Sequence, residues 1–403
     1  MSARVDLPDA PPVFATLIGQ GEAVRMLMTA ATAAAAIVRG ETPPPGAMTH
    51  AWLFTGPPGS GRSVAARAFA AALQCPQGGC GVCSECHTTL AGTHADVRTV
   101  IPDGLSISVE LMRELVRQAA SAPVGERWQV LLVEDADRLT ERAANALLKA
   151  VEEPSPRTVF LLCTPSTHPD DIPVTIRSRC RQVTLRTPSA EAIAALLVAD
   201  GIDTDTAAWA AAASQGHIGR ARRLARDPQA RERRARVLAI PRALRTIGAC
   251  FDEAKALVDA TDAEAKELTE EQDAKERSNL ELAYGAGGTG KGATAALRSA
   301  SGALKDLERR QKSRATRTKR DALDRALVDL AGFYRDVLLR TLGAPVPPVH
   351  GDATDDVATA AAAWTPDAAL RRLEAVLACR SAIDANVKPQ IAIEAMMATL
   401  YRP

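Results

Sequence analysis

Aromatic side chains make up only 3% of the 403 residues, which excludes cores organised around rings. The abundance of alanine points instead to a helix-rich chain packed with Leu, Val and Ala. No stretch reaches the roughly eighteen uninterrupted apolar residues that a membrane-spanning helix needs. The N-terminal Met-Ser-Ala-Arg-Val-Asp lacks the basic-then-apolar order of a secretory signal. A cytoplasmic chain without a membrane partner is therefore expected. A dominant charge sign is missing too: the formal net charge is +1, blocks of opposite sign cancel, and the balance identifies no partner. One core is too few for this length, and roughly two to three domains are expected.

What the chain does have is a phosphate-binding pattern. A short apolar strand, Ala51 to Phe54, runs into Thr55-Gly56-Pro57-Pro58-Gly59-Ser60-Gly61-Arg62-Ser63, which opens an Ala-rich helix near residues 60 to 73. In the template G-x-x-x-x-G-K-[ST], glycines let backbone N–H groups close on a phosphate, the lysine contacts the β- and γ-phosphates, and the hydroxyl holds Mg²⁺. Gly56, Gly61 and Ser63 fit, with Gly59 between them. Arg62 stands where the lysine belongs and replaces a compact ammonium with a planar fork. The expectation is a loop for ATP or ADP with Mg²⁺ whose own turnover is weak or absent.

Four of the eight cysteines are bunched as Cys75, Cys80, Cys83 and Cys86. In a reducing compartment such a cluster favours a metal over disulfides. Four thiolates fill a tetrahedral Zn²⁺ shell and leave no position for a water nucleophile, so the expected zinc is structural. His87 is a spare donor. Cys163, Cys180, Cys250 and Cys379 are scattered singly and read as core residues or free thiols.

Residues 22 to 39 read as a helix with Val24, Leu27, Met28 and Ile37 on its apolar face. Further strands are expected at 97–101, 129–133, 158–163 and 182–185, and helices at 107–120, with Leu111, Leu115 and Val116 inward, and at 139–152. Strands alternating with helices predict a doubly wound parallel sheet with ligands at the carboxyl ends of its strands. Glu134 and Asp135 sit at one such end, where P-loop ATPases carry an Asp for Mg²⁺ and many a following Glu for the attacking water. Here the order is reversed. Beyond 188 no strand pattern remains; helices are expected at 188–199 and 206–213. Ten arginines against two acids fall between Arg220 and Arg245, either a solvated helix face or a surface for DNA. Ten acids follow within 252–276, then a basic block to 320, and the alternation predicts an antiparallel helical hairpin laced by ion pairs. Gly285-Ala-Gly-Gly-Thr-Gly-Lys-Gly292 imitates a phosphate loop but lacks a preceding strand and a hydroxyl, and reads as a turn.

The phosphate loop, the cysteine cluster just after its helix, the acid pair and Ser178-Arg179-Cys180 together resemble the bacterial clamp-loader subunits of the AAA+ class. The resemblance covers roughly residues 10 to 235. It implies a P-loop AAA+ domain at 10–187 with an inserted zinc module at 75–86, a helical lid at 188–240 and an all-α collar at 241–403, with a charged insertion at about 250–320. Thr164 matches the family's polar sensor. Its sensing arginine would fall at Gly219, with Arg220 one step away. Arg62, the reversed Glu134-Asp135 and this register favour the delta-prime stator over the gamma or tau motor. The resemblance implies that Arg179, rather than Arg177 or Arg181, reaches in trans into a neighbouring motor's ATP site. The implied partners are gamma/tau motors, the delta subunit, the sliding clamp and primed DNA. The competing readings are an ATP-hydrolysing motor of the same assembly and a free-standing zinc-containing AAA+ protein acting on nucleic acid.

Overall fold

The computed structural model describes residues 9–102, 104–125, 127–283 and 293–402, with side chains outside 281–302. The glycine-rich stretch 285–292 lies outside the described residues. The chain forms two units, Met1–Ala225 and Arg226–Pro403.

In the first unit, helix α1 (Gly21–Val38) precedes β1 (Ala51–Thr55), α2 (Arg62–Gln74) and the short α3 (Ser84–Leu90). Then come β2 (Val97–Val100), α4 (Val109–Ala119), β3 (Gln129–Val133), α5 (Glu141–Glu152), β4 (Thr158–Thr164), α6 (Val174–Arg177) and β5 (Arg181–Thr184). Helices α7 (Ala190–Ala199), α8 (Thr204–Ala213) and α9 (Ile218–Arg226) complete the series. The sheet order is β2-β3-β4-β1-β5, and all pairings are parallel. Residues of β1, β3 and β4 are buried throughout, as strands covered on both faces must be.

Alternation along β1 divides the core. Trp52 and Phe54 join the cluster containing Leu27, Phe69 and Leu73, whereas Ala51 and Leu53 join the one containing Met112, Leu147 and Ile176. Trp52 meets Phe69 edge-on at 5.0 Å between centroids and donates its indole N–H to the Thr49 carbonyl at 2.9 Å. These two rings supply bulk that alanine-rich helices cannot. Helix α1 passes as a long apolar helix, yet it carries Glu22 and Arg25, and Val24, Leu27 and Ala34 are buried in the core.

Caps shift several predicted boundaries. The helix expected from Ile107 starts two residues later because the Ser108 hydroxyl accepts the Leu111 N–H at 3.3 Å. Thr140 likewise caps α5. The inward set on α4 also differs: Leu111 is exposed and Met112 takes the core position, a rotation set by that cap.

In the second unit, α10 (Pro228–Ala243), α11 (Ile247–Ala283) and α12 (Ala293–Thr341) are followed by α13 (Thr354–Ala363), α14 (Pro366–Asp384) and α15 (Pro389–Tyr401). The opposite charge blocks do pair α11 with α12. Arg314 bonds Glu276 at 2.6 Å and Asp273 at 2.5 Å, Lys319 bonds Asp262 at 2.5 Å, and Arg325 bonds Glu264 at 2.9 Å. The Arg314 hydrogen bond holds the Glu276 carboxyl down at about 2. Beneath this lattice Leu323, Leu327, Leu330 and Val337 form the apolar stripe of α12. Much of the basic run is also held within the chain: Arg222 pairs with Asp200, Arg233 with Glu267, Arg236 with Glu232 and Arg242 with Asp356.

Arg234 is the exception to a solvated face. Only 5% exposed, it bonds Asp352 and donates to Nδ1 of the fully buried His350 at 2.8 Å. Arginine has only donors, so Nδ1 is the acceptor, and Nε2–H points at the Asp329 carbonyl 2.9 Å away. Asp336 accepts the His350 backbone N–H at 2.9 Å. Burial, then the Arg234 charge, pushes the His350 pKa down, so the folded state holds it neutral. The unfolded chain takes up that proton near pH 6.5, so stability is full above this value and falls as pH drops below it. Urea unfolding followed by circular dichroism should show the wild type weakening from pH 7 to 5.5 and His350→Gln weakening less. Arg234→Ala should cost about 3 kcal/mol, because it leaves the buried Asp329 carboxylate, 3.7 Å from the guanidinium, without this cation.

Candidate functional site

The carboxyl ends of β1, β3 and β4 bring the phosphate loop, the acid pair and Thr164 to one edge of the sheet. Two glycines of the loop have no room for a side chain. A Cβ on Gly56 would stand 2.5 Å from the Leu185 carbonyl, and one on Gly59, where φ is +86°, would stand 2.7 Å from Cα and Cβ of His217. Gly61 caps α2 in the left-handed region. Among the described residues, the Oγ of Ser60, itself 2% exposed, has no hydrogen-bond partner, and the buried Nη1 of Arg62 has none either. Ser63 lies one residue into α2. A turn of backbone N–H groups, a helix start and two unsatisfied polar groups suit an anionic phosphate.

The acid pair is engaged differently from its expected role. Glu134, 9% exposed, accepts Nε and Nη2 of Arg67 on one carboxylate oxygen, at 3.1 and 2.7 Å. Asp135 adopts a left-handed φ of 53° and lies 4.0 Å from Arg138. Asp137 was not foreseen. Its pKa is raised by burial first and by the charge of Asp135 second, with Arg62 opposing. Burial, with Glu134 adding to it, also pushes the enclosed Cys163 thiol up. Thr164 is fully buried and donates its hydroxyl to the Ser166 carbonyl at 2.7 Å. Arg67 follows Ser63 by four residues and so shares its helix face. That spacing is legible in the sequence, but its meaning depends on which acid the face meets. The Gly219 register holds no arginine head group: a Cβ there would lie 3.3 Å from the His217 ring, and the Arg220 N–H bonds His217 Nδ1 at 3.2 Å.

The three neighbouring arginines are distinguished by their contacts. Arg177 donates to the Thr167 carbonyl at 2.9 Å. Arg181 donates to the Gly46 and Ala47 carbonyls and lies over the Trp52 ring, 5.3 Å from its centroid. Arg179 is exposed, its side chain 40% accessible, and reaches Glu152 at 2.6 Å and the Thr175 carbonyl at 2.8 Å.

The four clustered cysteines converge: their sulfur atoms all lie within 4.8 Å of one another. Cys80 and Cys83 each approach Cys75 at 3.7 Å, close to the roughly 3.8 Å edge that follows from a tetrahedron with Zn–S bonds of about 2.3 Å. Backbone N–H groups of Gln77 and Cys80 point at Cys75 Sγ, Gly81 at Cys86 and Cys86 at Cys83. Burial raises the Cys75 pKa, but donation from Cys80, Gly79 and Gln77 outweighs it and brings the thiol to about 6. His87 is not in the cluster; His94, 8% exposed, bonds Glu85 of α3 at 2.6 Å.

A parallel sheet in this strand order, with the phosphate loop after β1 and acids after β3, defines a P-loop α/β domain. Residues 43–189 match the family model described as DNA polymerase III, delta subunit. The chain is 41% identical over 150 residues to the DNA polymerase III subunit delta' of Pseudomonas aeruginosa, covering 36% of this chain and 45% of the relative. It is 31% identical over 194 residues to the delta' subunit of Bacillus subtilis, covering 47% and 58%. It is also 34% identical over 208 residues to the DNA polymerase III subunit gamma/tau of Mycobacterium tuberculosis, covering 49% and 34%. The chain thus spans about a third to somewhat over half the length of these relatives.

If the loop depends on the seat of Gly59 against His217, Gly59→Ala should destabilise the first unit by about 1–3 kcal/mol through strain and overlap. Gly61→Ala, with no atom within 4 Å of its Cβ, should cost only about 1 kcal/mol, from backbone strain alone. Thermal melts of both variants check this, and equal losses would exclude the packing argument.

Proposed function

We propose that this chain is a clamp-loader subunit of DNA polymerase III, of the delta-prime stator kind, that helps load a sliding clamp onto primed DNA. The observation that carries the choice of stator over motor is the state of the nucleotide edge: Arg62 replaces the lysine, and Glu134 is engaged by Arg67. Gamma/tau motors and a delta subunit are the partners this reading implies. Arg179 serves as the arginine finger toward a neighbouring motor's ATP site. In support, of the three neighbouring arginines it is the one with an exposed ion pair, which contributes only about 0–1 kcal/mol and is readily exchanged for a phosphate. A fork of two donors suits the charge spread over the phosphoryl oxygens in the transition state.

Steady-state ATPase of the reconstituted complex tests this. Arg179→Ala should assemble normally, keep its stability within about 1 kcal/mol, and lower DNA-stimulated turnover. A finger contributes about 10³–10⁵ at one site; interfaces with their own fingers limit the total loss. Lysine at 179 should rescue poorly, since a point charge cannot span two oxygens. Unchanged turnover, or failure to assemble, would exclude the finger. The motor reading gains instead if the isolated chain hydrolyses ATP at about 1 s⁻¹ or faster, within the ordinary range of enzymes.

We also assign a structural Zn²⁺ to Cys75, Cys80, Cys83 and Cys86; with four protein thiolates it has no open position for chemistry. Elemental analysis of protein purified without chelator should find about one zinc per chain, as a closed four-thiolate shell binds one ion. Cys83→Ser should lower that content and loosen residues 75–90 in hydrogen exchange while leaving the phosphate loop protected. Zinc-free wild-type protein would refute the assignment.

A further inference from the structure

Glu134 follows β3 at the position from which P-loop ATPases reach their Mg²⁺. In this chain Arg67 already fills that coordination: two of its nitrogens converge on one Glu134 oxygen, and the carboxylate is almost enclosed. The pair is built in. Arg67 springs from the face of α2 that also carries Ser63, the hydroxyl expected to share the metal. A divalent cation bridging Ser63 and Glu134 would have to displace a guanidinium or sit beside it. A second guanidinium, Arg62, stands at the loop itself with a buried Nη1 that has no hydrogen-bond partner among the described residues. The residues therefore do not fit Mg²⁺, although the glycine turn, the buried Ser60 hydroxyl and Arg62 fit a phosphate.

We propose that this phosphate loop binds a nucleoside di- or triphosphate without a divalent cation, with Arg67, anchored on Glu134, in place of Mg²⁺ and Arg62 in place of the lysine. Two delocalised, permanently charged forks supply the positive charge that a lysine and a metal supply elsewhere. The phosphate chain is thereby neutralised for binding, but no metal bridges its β- and γ-oxygens. The inference rests on reading this loop as a nucleotide site and is independent of the stator assignment, which is decided by turnover in the complex.

The experiment is a fluorescence titration of the full-length chain with mant-ATP, with and without about 5 mM MgCl₂, in metal-depleted buffer. Magnesium is omitted, not chelated, so that a metal on the thiolates is left in place. Wild-type affinity should change by less than about threefold when magnesium is added. Arg67→Met, which keeps the stem of the side chain, should bind more weakly without magnesium and should be tightened by it about tenfold or more. Should that variant fail to fold, the wild-type comparison still decides. Wild-type affinity rising about tenfold or more with magnesium would overturn the proposal. So would the absence of saturable mant-ATP binding in either buffer, or an Arg67→Met variant that folds and remains indifferent to magnesium.

Discussion

The lack of space at Gly56 and Gly59 is the constraint on which the first unit is built. The loop between β1 and α2 is pressed against the Leu185 carbonyl on one side and against His217 on the other. A side chain at either glycine would push apart the sheet edge or the start of α9. Because α9 opens at Ile218, immediately after His217, the helical segment after the sheet is registered directly on the phosphate loop. Any movement of the loop on binding an anion must therefore be shared by that helix.

Most of the architecture was legible because it rests on patterns with few alternatives. Continuous apolar runs such as Gln129–Val133 and Thr158–Thr164 are long enough for strands and too short for helices, and both lie where expected. Boundaries slipped where a hydroxyl competed with apolar periodicity, as at Ser108 and Thr140. The charge blocks at 252–276 and 291–320 predicted their own pairing, because opposite signs on consecutive helices leave one antiparallel arrangement that neutralises both.

The site was legible as an inventory and less so as a circuit. Cys75, Cys80, Cys83 and Cys86 are close in sequence, so their convergence follows from chain geometry alone. Glu134 and Arg67 are 67 residues apart, and no local rule connects a helix cation with an acid on another strand. His217 facing Gly59 is a longer-range contact still. Arg234 was hidden differently: within a dense basic run it looks like one more solvated charge, yet tertiary packing buries it against His350. Composition records how many charges there are; only packing decides which of them stay in water.

The cysteine loop and its short helix are fastened at two chemically unlike places. At one end stand the four clustered cysteine sulfurs. At the other, His94 accepts the Asp96 N–H at 3.0 Å on Nδ1, which leaves Nε2 to donate to Glu85 on α3. The Asp96 carboxylate in turn receives the N–H groups of Val124 and Gly125, each at 2.7 Å. This imidazole–carboxylate rivet contains no sulfur, so chemistry at the cysteines does not act on it directly. The insert is thus a double-latched flap: undoing the sulfur latch frees the tip of the loop, while α3 stays pinned to the start of β2 and the sheet beneath keeps its shape.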